Sequence, residues 1–243
     1  MTSIKKTDVL KCIDYVNENS KLEELNKVYK SLPSGDCSGC GNCCMESVGI
    51  NLIEFINIYN HLQKNERVRK VALEKILDYY FLEYTKKSPC PFRDSDNRCI
   101  IYEVRPLNCR LFGHWKKDDY NSNLENVIQR NINYKNLMKI KYGFDISSEV
   151  VNFRIKYCES FITQDGYLDK STRLGFADKL MILDSDIYSK GIIDIEFKDR
   201  GIVEYFIDLL FDENIAYNVK VRVSKVENIR YRAISRLKKI IVR

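Results

Sequence analysis

Four cysteines fall within eight positions, Cys37, Cys40, Cys43 and Cys44, in the run Cys-Ser-Gly-Cys-Gly-Asn-Cys-Cys. A buried free cysteine is an ordinary small hydrophobe, but four of them in a loop of Gly and Ser contribute little of the apolar volume a core needs. The spacing suits metal instead. Two intervening residues let the backbone curl until both sulfurs reach one tetrahedral centre, and Gly39 and Gly41 permit the tight or left-handed conformations this demands. Adjacent Cys43 and Cys44 point their side chains in different directions in most backbone conformations. That assigns them to different metal positions or to a polynuclear centre.

The remaining cysteines extend the pattern. Cys90 precedes Pro91 and Phe92, Cys99 and Cys109 follow in a segment of prolines and turn formers, and Cys158 stands far downstream. The candidate metal ligands are therefore Cys37, Cys40, Cys43, Cys44, Cys90, Cys99, Cys109 and Cys158, the last with no local spacing to vouch for it. Cys12, beside Ile13 in a helical stretch, is expected in the core. The total of nine cysteines is odd, so complete disulfide pairing within one molecule is impossible, and only two histidines are present. Thiolate must be the main ligand, which argues against a histidine-rich zinc hydrolase. Three closely spaced cysteines joined by a distant Cys-Pro match a ferredoxin arrangement and favour an iron–sulfur cluster. Paired Cys-x2-Cys elements also make closed zinc sites, so Zn2+ stays open beside it. Arg105 and Arg110, each within a turn of Cys109, are placed to offset the negative charge of a thiolate set. His114 is a further candidate to replace one thiolate. A third cysteine for the radical-SAM spacing would have to occupy Ser47, and no Gly-x-Gly-x-x-Gly fingerprint, P-loop or Gly-x-Ser-x-Gly elbow exists.

The string Cys99-Ile-Ile-Tyr-Glu-Val-Arg-Pro-Leu-Asn-Cys109-Arg110, together with Cys37-x2-Cys40-x2-Cys43-Cys44 and Cys90-Pro-Phe, resembles the YkgJ-type cysteine-cluster family. The resemblance runs from about Cys37 to Phe112. It implies zinc or iron chelation, and through the same cysteine module it implies a relation to flagellin lysine-N-methylases. On that relation a methyl transfer from S-adenosylmethionine to a protein substrate is one implied activity. An iron–sulfur-dependent oxidoreductase is a second enzymatic reading, and a structural or metal-handling module that turns nothing over is the alternative.

Helical periodicity dominates the rest of the chain. Ser20 and Glu23 are spaced as a capping box ahead of Leu22, Leu25 and Val28. Ile53 and Ile56 mark one helix, and Val68, Val71, Ala72, Ile76 and Tyr79 form an apolar stripe on a second. Ser88 to Trp115 reads as loop with one short helix near Tyr102 to Arg105. A helix capped by Asn123 follows and stops near Gly143. Farther on, Ile193, Ile195 and Phe197 alternate with Asp194 and Glu196, and Val219, Val221 and Val223 alternate with Lys220, Arg222 and Ser224. Two strands are expected there, with a helical crossover over Ile202 to Phe211 between them. The fold class that results is α+β, mainly α: a helical cysteine-cluster domain over 1–165 and a small β-α-β-α appendage over 166–243.

The net charge of +6 is unevenly spread, because Asn218 to Arg243 holds nine Lys or Arg and a single acid, Glu227. A basic terminus of this kind attracts nucleic acid or an acidic partner. On this reading residues 220–243 are the binding stretch, and the helix after Ser224 turns Ile229, Ala233, Leu237 and Ile240 inward and Arg230, Arg232, Arg236, Lys238 and Lys239 toward phosphates. The first residues lack a secretory signal, and no apolar run reaches the roughly 18 residues of a membrane span. A cytoplasmic location is expected.

Overall fold

The structure is a computed structural model that describes residues 4–195 and 197–241. Eleven α-helices account for most of the described chain, with four strands of two residues each, so the class is mainly α with little sheet. In chain order the helices are α1 (Lys6–Glu18), α2 (Lys21–Lys30), α3 (Leu52–Gln63), α4 (Glu66–Leu82), α5 (Leu107–Leu111), α6 (Lys117–Tyr142), α7 (Ser148–Asn152), α8 (Lys170–Ser189), α9 (Ile202–Leu210), α10 (Glu213–Lys225) and α11 (Glu227–Ile241). Single 3-10 turns occupy Tyr102–Val104 and Phe112–His114. No described helix is long and apolar enough to cross a membrane.

Helix α3 lies at the centre, with eight of its twelve residues buried. Leu52, Ile53, Phe55, Ile56 and Ile58 are all fully buried. Its start is fixed by carboxylates, since the Glu54 side chain accepts from the Asn51 N–H at 3.0 Å, and Asp184 of α8 accepts from Leu52 and Ile53 at 2.8 Å each. Such acceptors satisfy amides that a helix start leaves without partners. Phe55 stacks on Tyr205 of α9 at 4.8 Å and meets Phe206 edge-on at 5.2 Å. Helix α4 packs against α9, α10 and α11, and one apolar cluster draws residues from both sides of residue 165. A smaller cluster joins Tyr84, Met138, Ile146, Val151 and Val221.

The short strands matter for what they clamp. β1 (Gly35–Asp36) pairs antiparallel with β3 (Ile162–Thr163), and β2 (Gly49–Ile50) pairs antiparallel with β4 (Arg200–Gly201). The loop that carries Cys37 to Cys44 is thus held at both ends by distant chain. Ser47 reinforces the second end: its N–H donates to the Tyr79 hydroxyl at 2.8 Å, and its Oγ accepts from Val203 N–H at 3.2 Å.

Several local expectations are corrected. Ser20 adopts a left-handed conformation with φ of 54° and makes no side-chain cap, so no capping box forms there. Helix α6 begins at Lys117, ahead of Asn123, and ends as expected on left-handed Gly143. The segment around Ile193 to Phe197 is not a strand: Ile193 and Ile195 are buried, Phe197 is exposed, and Glu196 lies outside the described residues. The Val219–Val223 alternation is likewise overturned, because these residues are helical and belong to α10, capped by Asp212 through the Asn214 and Ile215 N–H groups. Val221 and Val223 are both buried there, and Lys220 reaches Glu83 from the same helix, so a two-residue alternation arises where two apolar neighbours share one helix with polar contacts between them.

Helix α11 turns most of the expected face inward, with Ile240 as the exception. Ile234 is buried and Ala233 and Leu237 are partly buried, but Ile240 is 73% exposed. Lys238 pairs with Asp78 at 2.6 Å, and Arg230 donates to the Val223 and Ser224 carbonyls at the end of α10. Arg232, Arg236 and Lys239 remain solvent-facing.

Candidate metal centre

The early loop turns as its glycines require, with Gly39 and Gly41 left-handed at φ of 66° and 71°. The Cys44 N–H bonds back to the Gly41 carbonyl at 3.0 Å, closing a tight turn over Cys43. The Cys44 carbonyl in turn accepts from the Cys90 N–H at 3.0 Å, which docks the second cysteine segment on the first. That second segment is a small hairpin: Ile100 N–H donates to the Phe92 carbonyl at 2.8 Å, and Arg93 bridges to Cys99. Arg93 ties it to the early loop as well, donating to the Gly41 carbonyl at 3.2 Å and approaching the Met45 sulfur at 3.5 Å.

Cys109 sits on α5, where the sequence suggests loop. Pro106 serves as the N-cap, its carbonyl accepting from Cys109 N–H at 3.0 Å. The Cys109 amide is spent on its own turn, and the Leu107 amide donates to Glu54 at 2.6 Å, so neither is free for sulfur.

Six sulfurs influence one another in overlapping pairs. Cys44 feels Cys43, and its charge is felt in turn by Cys90, Cys99 and Cys109. Cys43 feels Cys37 and Cys109 as well. The hydrogen bond between Cys43 and Cys44 is the largest influence on both, raising Cys43 and lowering Cys44, and Arg93 and Arg105 further favour the Cys44 thiolate. Burial pushes Cys90 up to about 12, raises Cys99, and holds Cys109 well above the ordinary thiol value. Cys109 is nevertheless exposed to solvent.

The other candidates lie on the early loop and on later segments. Cys37 and Cys40 are exposed in the early loop. Cys158 is half-buried, its sulfur 3.8 Å from Ser160 Oγ, which lies 3.1 Å from Ser38 Oγ, so its segment abuts the residue after Cys37. Among the described residues no three ligating side chains are drawn to coordination distance. The sulfurs lie on neighbouring segments without forming a finished coordination sphere. Cys12 is fully buried, as expected, with its thiol pushed up to about 12 by that burial. His114 is buried against Phe161 at 4.7 Å between ring centres, with Nδ1 unpartnered and its pKa lowered by burial.

The basic rim is built from stacked arginines. The Arg105 guanidinium lies 3.9 Å over the Tyr102 ring, with its Nε buried and without a hydrogen-bond partner. Arg110 lies 4.0 Å over the Tyr29 ring and donates to the Arg105 and Glu103 carbonyls at 2.8 and 2.7 Å. The sequence places these two arginines near the cysteines and offers Glu54 as a solvated carboxylate or a base beside a bound substrate, but Glu54 is buried, and Tyr29 is not foreseen at all. The Asn51-x-x-Glu54 spacing is a legible capping signal, whereas nothing in the sequence links Tyr29 to Cys109.

The donor set fits a thiophilic metal. Soft sulfur is the only plentiful ligand, two cationic side chains favour its ionised form, and the buried thiols require a cation before they can all ionise. No curated protein and no solved structure matches the chain. Residues 36–127 match the sequence model of the CxxCxxCC family, described as a "Putative zinc- or iron-chelating domain", and this segment is the part of the chain that carries the family's cysteine module.

Proposed function

We propose that the chain binds a polynuclear metal–thiolate centre through Cys43, Cys44, Cys90, Cys99 and Cys109, with Cys37, Cys40 and Cys158 completing it from the rim. The observation that supports this reading is the docking of the Cys90 amide on the Cys44 carbonyl at 3.0 Å, which ties the segment carrying Cys90 and Cys99 to the early cysteine loop. A closed mononuclear zinc site takes four ligands, so five converging sulfurs and three near them exceed what one ion uses. An iron–sulfur cluster would supply electron transfer, and zinc would supply cross-linking of the loop. The protein's own part is to gather thiols, to favour their ionised form with Arg93 and Arg105, and to keep Cys109 reachable from solvent.

The test is metal analysis with absorption spectra on full-length protein prepared without oxygen. The expected result is two or more zinc or iron ions per chain, lost in Cys44→Ser, Cys90→Ser and Cys109→Ser and kept in Cys12→Ser. Protein that neither retains nor rebinds zinc or iron, or that loses as much metal in Cys12→Ser as in the other variants, overturns the proposal. The same preparation separates the catalytic readings. Reversible bleaching on reduction marks electron carriage, and consumption of S-adenosylmethionine with a lysine-bearing protein marks methyl transfer.

A further inference from the structure

Every neighbour of Cys109 in the chain is pinned. Leu107 N–H donates to Glu54 Oε1 at 2.6 Å, Asn108 Nδ2 donates to the Gly49 carbonyl at 2.7 Å, and Arg110 is fixed by the Tyr29 ring and two carbonyls. Cys109 itself stays exposed. Two of the three pins converge on Glu54, because the Tyr29 hydroxyl donates to the same Oε1 at 2.7 Å, setting the ring on which Arg110 rests. The carboxylate is buried to 1% exposure and its other oxygen takes the Asn51 N–H at 3.0 Å. It therefore joins α2, the start of α3 and the start of α5 at one point.

We propose that Glu54 is a positioning residue of the metal centre, fixing the helix that presents Cys109 through Leu107 N–H and through the Tyr29 platform under Arg110. This rests on the metal-centre reading above. A residue that only stabilises the fold would behave differently, and the molecule contains a matched control. Asp184 is also buried, at 2% exposure, and also holds the start of α3, through Leu52 and Ile53 N–H, but it has no bond to the Cys109 arm. Both carboxylates serve helix α3. Only Glu54 reaches the cysteine helix.

The experiment is a cobalt(II) titration of the full chain, followed by its thiolate charge-transfer spectrum, with thermal unfolding recorded for each variant. Glu54→Ala is expected to weaken cobalt binding about 10–100-fold, the range for groups that orient ligands from outside the coordination sphere, and to alter the spectrum. Glu54→Gln keeps an amide oxygen for Leu107 and Tyr29, and is expected to restore most of the affinity and the native spectrum. Asp184→Asn is expected to lower the thermal midpoint while leaving affinity and spectrum unchanged. Should Glu54→Ala fail to fold, Tyr29→Phe keeps the ring beneath Arg110 and removes one bond to Glu54, and the same spectral change in smaller measure is expected. Native cobalt affinity and spectrum in folded Glu54→Ala, or in Tyr29→Phe where that variant carries the test, overturn the proposal, as does an equal loss in Asp184→Asn. Wild-type protein that binds no cobalt, zinc or iron sinks the metal-centre reading itself, whereas wild-type binding with an unaffected Glu54→Ala sinks this inference alone.

Discussion

At the scale of single residues, the buried carboxylates carry the clearest consequences. Burial pushes Asp184 up to about 6, against the lowering effect of the Ile53 and Leu52 N–H groups and the Asn51 side chain. Because this folded value lies above the unfolded value of roughly 3.9, the native state holds more proton than the unfolded state between those pH values. Stability from this residue is greatest below pH 4 and declines as pH rises through about 6. The decline is on the order of 2–3 kcal/mol relative to a variant that cannot ionise there. Urea unfolding of wild type and Asp184→Asn across pH 4 to 7 reads this directly, and parallel profiles would remove the assigned shift. Asp184 itself left no mark on the sequence. It sits 132 positions from its partner Leu52, and no local pattern reports a cap delivered from another helix.

At the scale of elements, the cysteine loop was legible because its chemistry is local. The glycines, the Cys-x2-Cys spacing and the adjacent pair all describe one turn, and Gly39 and Gly41 adopt the left-handed conformation that the spacing demands. Their roles differ in a way only three dimensions show. A Cβ on Gly41 would lie 2.9 Å from the Arg93 guanidinium carbon, whereas a Cβ on Gly39 meets nothing within 4 Å. Each alanine substitution should cost about 1–2 kcal/mol for the left-handed backbone, but Gly41→Ala alone should displace Arg93 and so weaken metal binding as well. Equal metal affinity in the two variants would show that Arg93 does not act on the thiolates. The strand reading near residue 219 failed for a related physical reason. Alternation by two is shared by a half-buried strand and by a helix whose neighbours on both sides are protein, and α10 lies against α4, α9 and α11.

At the scale of the whole molecule, the basic C-terminal helix is secured by packing more than by charge. Ile234 is its one fully buried side chain among the described residues, and Lys238 meets an Asp78 whose side chain is 44% exposed. Ile234→Ala is expected to cost about 2–5 kcal/mol, and Lys238→Ala less than about 1 kcal/mol, since exposed ion pairs are screened. Chemical denaturation of both variants decides between the two attachments, and a larger loss in Lys238→Ala would reverse the assignment. The general helical character and the cysteine module could be read from sequence because each depends on short-range spacing. The union of Glu54 with Tyr29, and of β2 with β4, could not, because those contacts form between segments that share no local pattern.

The two strand pairs also impose an order in time. A nascent polypeptide exposes Cys37 to Cys44 well before residues 162–163 and 200–201 have been synthesised, and these are what fasten the two ends of that loop. Until residues 200–201 have emerged, the second end of the loop lacks its pairing strand, so the clamps close in order, β1 with β3 and then β2 with β4.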